Sequence, residues 1–154
     1  MSLNQIYTQI ITENSRSKEH KHDIDHPNIV HDGVNPSCGD EITLELYVKD
    51  GKIEDASFVG DGCAISQASA SMMIDLIKGK SVEEARHLAD TFIGMIKGTV
   101  TDPEQLEELE DSQAFVNIRH MPARVKCAVL GWHTLDEALK ENEEKEKKSE
   151  ENKD

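Results

Sequence analysis

Residues 41–60, "EITLELYVKDGKIEDASFVG", decide the fold because they predict a β-hairpin. Two alternating segments flank Asp50-Gly51, a dipeptide that tight hairpin turns favour. Small or apolar residues occupy every second position: Ile42, Leu44, Leu46 and Val48 on the first strand, and Ala56, Phe58 and Gly60 on the second. Because successive side chains point to opposite faces of a strand, we expect an antiparallel pair with one face turned to the core.

The segments before the hairpin predict one helix and one short strand. Ser2 and Gln5 have the spacing of a capping box, and apolar residues then follow at helical spacing. This apolar stripe, which should be buried, consists of Leu3, Ile6, Tyr7, Ile10 and Ile11. The polar run of residues 13–27, "ENSRSKEHKHDIDHP", should form a solvated loop, and residues 28–34, "NIVHDGV", should form an edge strand.

The segments after the hairpin predict helices. The segment 64–80 indicates a helix that ends just before Gly79, which takes the C′ position. Ser81 and Glu84 then form a capping box for the next helix. The remaining predicted helices are an acidic one over residues 103–111, one over residues 123–132, and a last one capped by Thr134 and Glu137. Strands early and helices late predict an α+β domain, in which a small antiparallel sheet of about three strands packs against several helices.

The length of 154 residues suits one domain, which would bury roughly 68–70% of the surface that its unfolded chain exposes. From Lys140 to Asp154, however, the chain has no apolar residue and is almost wholly charged. This composition is typical of a helix end that passes into a disordered tail. We therefore expect a folded domain over residues 1–140 and a charged, disordered tail over residues 141–154.

The formal net charge of −14 and the lack of long apolar runs exclude several kinds of partner. Nucleic-acid binding needs clustered Lys and Arg to neutralise phosphates, so we expect no nucleic-acid partner. No apolar run approaches the ~18 residues of a membrane span, and the first residues lack the apolar core of a signal peptide. We therefore expect a cytoplasmic protein. In that compartment three cysteines suggest metal or thiol chemistry more than disulfides.

Two of the three cysteines lie at the ends of the predicted hairpin. Cys38 and Asp40 precede the first strand, and Cys63 follows the second in a glycine-rich turn. Antiparallel pairing brings the start of one strand beside the end of the other, so these three side chains should converge. Cys127 lies on a predicted apolar helix and, taken alone, would be a small buried hydrophobe. Together they supply three thiols and one carboxylate, a set that suits four-coordinate zinc.

The carboxylate gives this predicted site a particular chemical meaning. Structural zinc sites are usually closed by Cys and His alone. Three thiolates and a carboxylate leave a Zn²⁺ site negatively charged. Such a site should release a nucleophilic thiolate more readily than a closed, neutral zinc site does. The alternative is a set of unrelated core and turn cysteines, which the position of two of them at glycine-rich strand ends disfavours.

Four segments of the chain resemble the U-type iron–sulfur cluster assembly proteins, the IscU/NifU-N family. They are "NPSCGD" (35–40), "IEDASFVGDGCAISQASASMM" (53–73), "GKSVEEA" (79–85) and "RVKCAVLGW" (124–132). The resemblance covers nearly all of residues 1–140 and implies an IscU/SufU-like fold. Two features favour the SufU branch: an extra segment over residues 99–111, and Lys126 where the scaffold-type members have a histidine.

The resemblance implies a zinc-dependent sulfurtransferase in iron–sulfur cluster assembly. Its partner would be a SufS-like cysteine desulfurase that uses pyridoxal phosphate, and a SufB-type scaffold complex would be a downstream partner. By the same resemblance, Cys38, Asp40, Cys63 and Cys127 hold the zinc, and Cys38 leaves the metal to receive the persulfide sulfur. Arg124 matches a family arginine that would dock the partner or stabilise the released thiolate; a surface arginine on a helix is the alternative.

Two other functions stay open at this level. The same four side chains could bind iron or build a [2Fe–2S] cluster on a non-enzymatic scaffold, since thiolates suit either metal. A purely structural zinc domain is disfavoured by the aspartate.

The family pattern fails over residues 13–27, which weakens any transfer of family roles to that loop. Four histidines fall in or just after it: His20, His22, His26 and His31. They would form either an accessory metal site or, the reading we favour, part of a solvated polar loop. His133 is expected at the start of a helix rather than at a metal.

Overall fold

The predicted hairpin forms the centre of the sheet. In a computed structural model, which describes residues 2–37 and 39–151, strand β2 (Asp40–Lys49) pairs antiparallel with β3 (Lys52–Asp61). Asp50 and Gly51 have φ angles of 52° and 75°, the left-handed conformation that a type I′ turn needs. Strand β1 (Ile29–Asn35) pairs antiparallel with β2, so the strand order is β1-β2-β3. The three-stranded antiparallel sheet is confirmed.

Several helices of the described chain begin at N-terminal capping residues or end at a glycine. The Ser2–Gln5 capping box is present, the Ser81 hydroxyl accepts from the Glu84 N–H, and Gly79 has φ 84° directly after a C-cap. The helical elements are α1 (Leu3–Arg16), α2 (Ala64–Ile77), α3 (Val82–Lys97), α4 (Pro103–Glu107), a 3-10 segment (Glu110–His120) and α5 (Pro122–Glu151). None of the helices in the part described is long and apolar enough to cross a membrane.

Helix α2 is the central helix of the core. Twelve of its fourteen residues are buried, and it contacts β3, α1 and α5. Trp132 of α5 in turn stacks on Phe92 of α3, with ring centroids 5.1 Å apart. The α+β architecture with helices packed on the apolar sheet face is therefore confirmed.

Helix α5 corrects the prediction of two separate C-terminal helices. Thr134 is buried in its interior, and its hydroxyl donates to the Leu130 carbonyl at 2.7 Å, so Thr134 is not an N-cap. The Thr134–Glu137 pattern matched a capping box by spacing alone. His133 accordingly lies inside a helix and not at its start. Because α5 runs through Glu151, the division at residue 140 stays a prediction.

Two other helices differ from their predictions. Helix α1 extends to Arg16, so it takes up the first residues of the predicted loop, and Leu3 and Ile6 are 61% and 40% exposed. Only the later apolar residues of the stripe pack on the core: Tyr7, Ile10 and Ile11. The acidic helix predicted over residues 103–111 ends at Glu107, and a 3-10 segment then buries Phe115 and Ile118.

Residues 17–28, called the strap below, form a loop with mostly exposed side chains, as predicted, but His20 and Ile24 are buried and the backbone is bonded to the sheet. At one end the His20 carbonyl accepts from the Phe58 N–H of β3 at 3.0 Å, and at the other the Asn28 N–H donates to the Leu46 carbonyl of β2 at 3.0 Å. Between them Ile24 is buried, and Glu45 on the outer sheet face is only 7% exposed. The strap therefore covers the sheet face opposite the helices.

Burial under the strap should make Glu45 a source of pH-dependent stability. Burial, a hydrogen bond with Asp23 and repulsion from that carboxylate together raise the pKa of Glu45 above its ordinary value of 4.5. The folded state then binds a proton more tightly than the unfolded state, so stability falls as pH rises from 4.5 through the raised pKa. We expect Glu45→Gln to raise the melting temperature at pH 7, with a gain that shrinks toward pH 4.5.

Thermal melts between pH 4.5 and 8 would measure this. Glu54→Gln, at an exposed position on β3, is the matched control and should change little. An equal gain at every pH would contradict the assignment.

Candidate metal centre

Asp40 and Cys63 meet at one end of the sheet because of strand pairing. Glu41 at the start of β2 pairs with Asp61 at the end of β3, which sets the flanking residues side by side. The Cys63 N–H donates to Asp40 Oδ1 at 3.0 Å. The convergence predicted for these two residues is confirmed. Cys38, the third residue of that prediction, lies outside the described residues, so its metal and sulfur-acceptor roles stay predictions.

Cys127 joins this pair from the first turns of α5. One carboxylate oxygen of Asp40 and the two sulfurs of Cys63 and Cys127 all lie within 4.8 Å of one another. Asp40 and Cys127 are 4% and 5% exposed, whereas Cys63 is exposed. The side-chain amide of Asn35 also approaches the Cys127 sulfur, with Nδ2 3.9 Å from Sγ. Three donor atoms from three separate parts of the chain thus share one half-open site.

Ser66 holds the carboxylate of Asp40 in place. Its hydroxyl donates to Asp40 Oδ2, while the Cys63 N–H occupies the other oxygen. Gly62 makes this approach possible, since a Cβ there would lie 3.1 Å from the Ser66 Cβ and 3.3 Å from the Asp40 Cγ. Ser66 was missed from the sequence, although its place three residues after the N-cap Cys63 is where a side chain reaches back to a helix start. Such supporting hydrogen bonds orient metal-ligating carboxylates.

The three donors suit zinc in both kind and spacing. Thiolate sulfur and carboxylate oxygen are common zinc ligands, and a tetrahedral site with Zn–S of about 2.3 Å sets its sulfurs about 3.8 Å apart. The three donor atoms, which all lie within 4.8 Å of one another, are compatible with that spacing. Metal binding by Asp40, Cys63 and Cys127 stays a prediction.

Arg124 and Lys126 lie on the exposed side of α5 near this site. Arg124 is exposed and helps to line a groove of about 580 Å³, which also includes Ala64, the residue after Cys63. The Lys126 ammonium donates to the Ser37 hydroxyl at 3.2 Å, directly before position 38. The structure thus sets both cations beside the segments that carry the cysteines, while the functional role of Arg124 stays a prediction.

The five histidines considered in the sequence lie elsewhere, in three different environments. His20 is 5% exposed with its Nε2 2.5 Å from Asp75 Oδ1, so the expectation of a solvated residue is wrong for it. His31 joins β1 to α5 through Glu137 and Glu141, at 3.2 and 3.4 Å. Exposed positions are found for His22, His26 and His133.

Known proteins share this sequence and fold. The family model for the NifU-like N terminal domain matches residues 6–149. The iron–sulfur cluster assembly scaffold protein IscU of Thermotoga maritima is 42% identical over 140 residues, covering 91% of this chain and 96% of that protein. The zinc-dependent sulfurtransferase SufU of Bacillus subtilis is 37% identical over 142 residues, covering 92% and 95%.

Solved structures agree with these matches. A putative iron–sulfur cluster assembly scaffold protein for the SUF system from Fervidobacterium islandicum has a TM-score of 0.82 at 38% identity, covering 90% of this chain and 99% of that one. The N-terminal part of a NifU-like protein from Brucella abortus has a TM-score of 0.81 at 26% identity, covering 93% and 98%. The chain therefore belongs to the IscU/NifU-N family of iron–sulfur cluster assembly proteins, which includes the SufU-type members.

Proposed function

We propose that this protein is a zinc-dependent sulfurtransferase that accepts sulfur on Cys38 from a SufS-like cysteine desulfurase. The observation that carries the proposal is the mixed donor set of Asp40, Cys63 and Cys127, in which a firmly held carboxylate accompanies the thiols. Lys126 adds support, because its ammonium hydrogen-bonds Ser37 and offers no lone pair to a metal. The similarity to the SufU protein of B. subtilis points in the same direction.

The proposed reaction moves one sulfur atom without net oxidation. The Cys38 thiolate attacks the outer sulfur of a persulfide on the desulfurase and forms a new S–S bond. The S–S bond of the donor breaks, and its electron pair leaves on the donor cysteine as a thiolate. Zinc, when bound by Cys38, Asp40, Cys63 and Cys127, supplies the positive charge that keeps cysteine ligands deprotonated. A SufB-type scaffold complex would take the sulfur next.

Arg124 would contact either the docked desulfurase or the attacking thiolate. Its guanidinium is exposed and lies on the groove beside the residue after Cys63, where it can reach a docked protein. A guanidinium can hold a thiolate or a carboxylate by charge-assisted hydrogen bonds. We therefore assign it to partner docking or to stabilisation of the attacking thiolate.

Metal content and desulfurase stimulation together test the proposed function. Protein purified without air should contain about one zinc per chain, should be colourless, and should accelerate cysteine desulfuration by a SufS-like enzyme. Sulfur should appear on this chain as a persulfide that mass mapping locates. Zinc-loaded protein that neither accelerates the desulfurase nor carries a persulfide would contradict the proposal.

A scaffold for a [2Fe–2S] cluster is the second candidate. It is favoured by the names of the T. maritima relative and of a Streptococcus pyogenes relative at 41% identity, both iron–sulfur cluster assembly scaffold proteins. Brown protein with stoichiometric iron, and no stimulation of the desulfurase, would support it.

A further inference from the structure

A second group of potential metal ligands lies at the start of the strap. A carboxylate oxygen of Glu19, a ring nitrogen of His20 and a carboxylate oxygen of Asp75 all lie within 4.8 Å of one another. Asp75 belongs to α2, so the group joins the strap to the central helix. At about 1.5 Å per residue, Asp75 lies about 16 Å along that helix from Ala64, well apart from the candidate metal centre.

The backbone around His20 holds its imidazole in position. The side chain is 5% exposed, and the His20 carbonyl accepts from the Phe58 N–H at 3.0 Å. The next residue, Lys21, forms an isolated parallel bridge with Phe58, which extends the sheet edge by one residue. The imidazole Nε2 then lies 2.5 Å from Asp75 Oδ1. A buried nitrogen ligand beside a carboxylate is therefore already assembled, with little freedom left to lose on binding.

Carboxylates outnumber cations around this group, although Lys18 and Lys21 flank Glu19 and His20 in the chain. Asp75 also lines a small cleft with Glu110 and Asp111. Within the described ranges, no lysine or arginine forms a salt bridge with any of these carboxylates or with Glu19. The carboxylates of Glu19 and Asp75 are exposed, so water can complete a coordination sphere on the open side. A divalent cation could therefore bind here with two carboxylates, one imidazole and water as ligands.

We propose that Glu19, His20 and Asp75 bind a divalent transition metal ion and thereby clip the strap to α2. One imidazole and two carboxylates are a harder ligand set than the thiols of the other centre, so the site should accept Mn²⁺, Fe²⁺ or Zn²⁺ with open positions filled by water. The proposal is independent of the sulfur-transfer function. The site uses no cysteine, and Asp75 lies near the C-terminal end of α2, whereas the candidate metal centre lies at its N-terminal end.

Titration with Mn²⁺ of protein that holds one zinc ion per chain tests the clip, because a single zinc ion should occupy the thiolates first. Mn²⁺ stands at the low end of the affinity order, so it should not displace zinc from thiolates. The free Mn²⁺ electron paramagnetic resonance signal should show one ion bound per chain. Asp75→Asn and Glu19→Gln should each weaken this binding at least about tenfold, since each removes one of few ligands. Asp90→Asn, an exposed aspartate on α3, changes the net charge equally and should leave binding unchanged.

Nuclear magnetic resonance locates the ion. Bound Mn²⁺ should broaden the backbone amide signal of Phe58 in the wild type and not in Asp75→Asn. Glu19 makes no salt bridge within the described chain, so Glu19→Gln should fold normally even if Asp75→Asn does not. The proposal would be overturned if the wild type bound no Mn²⁺. It would also be overturned if Asp75→Asn and Glu19→Gln bound Mn²⁺ as tightly as Asp90→Asn, or if the broadening were confined to residues 141–151.

Discussion

Cys38→Ser is expected to reduce the stimulation of a SufS-like desulfurase to the basal rate of that enzyme alone. A serine hydroxyl stays protonated at neutral pH and forms no stable bond to the outer sulfur of a persulfide, whereas a thiolate attacks it directly. The proposed acceptor would therefore be lost completely, which makes this the largest change expected from any single substitution. The measurement is the rate of sulfide or alanine formation from cysteine, with and without the variant.

A substitution at the neighbouring residue distinguishes loss of the Cys38 thiol from a change in the conformation of its loop. Ser37→Ala removes the hydroxyl that accepts from Lys126 but keeps the thiol, so it should retain most of the stimulation. Zinc content must be measured for both variants, because loss of metal alone could lower activity. If zinc-containing Cys38→Ser accelerates the desulfurase as well as the wild type, another residue accepts the sulfur.

Removal of the metal should cause the second large effect, a fall in thermal stability. The donors come from the start of β2, the junction after β3 and the first turns of α5, so a bound ion joins parts of the chain that unfolding would separate. An ion that binds only the native state adds about 4 kcal/mol at a thousandfold excess over its dissociation constant. For a domain of this size that corresponds to roughly 8–16 °C in melting temperature.

Melts of the same protein before and after strong chelation, with metal content verified, measure this effect. Cys127→Ser is the informative variant: its melting temperature should not respond to the chelator, whatever the substitution itself costs at a buried site. Ser66→Ala should respond but lose zinc at a lower chelator concentration, because the Asp40 carboxylate is then held by fewer hydrogen bonds. An unchanged melting temperature after verified zinc loss would show that the metal does not stabilise the fold.

The parts of this fold that could be predicted from sequence depend on near neighbours in the chain. The hairpin follows from alternation around Asp50-Gly51, and the start of α3 follows from Ser81 and Glu84, three residues apart. The meeting of Asp40 with Cys63 was also predictable, because one antiparallel pairing determines it. Each of these inferences needs only local geometry and one strand register.

Tertiary structure alone decided the features that depend on contacts between distant residues. His20 and Asp75 are 55 residues apart, and no local pattern indicates that a polar run will lie across a sheet and bury an imidazole. The same strap raises the pKa of Glu45, and nothing in the residues around Glu45 indicates that a distant segment will bury it. Thr134 has the spacing of a helix cap, yet packing of α5 against α2 and α3 keeps one helix running through it. In each case the burial energy of long-range packing outweighed a local preference worth about 1 kcal/mol or less.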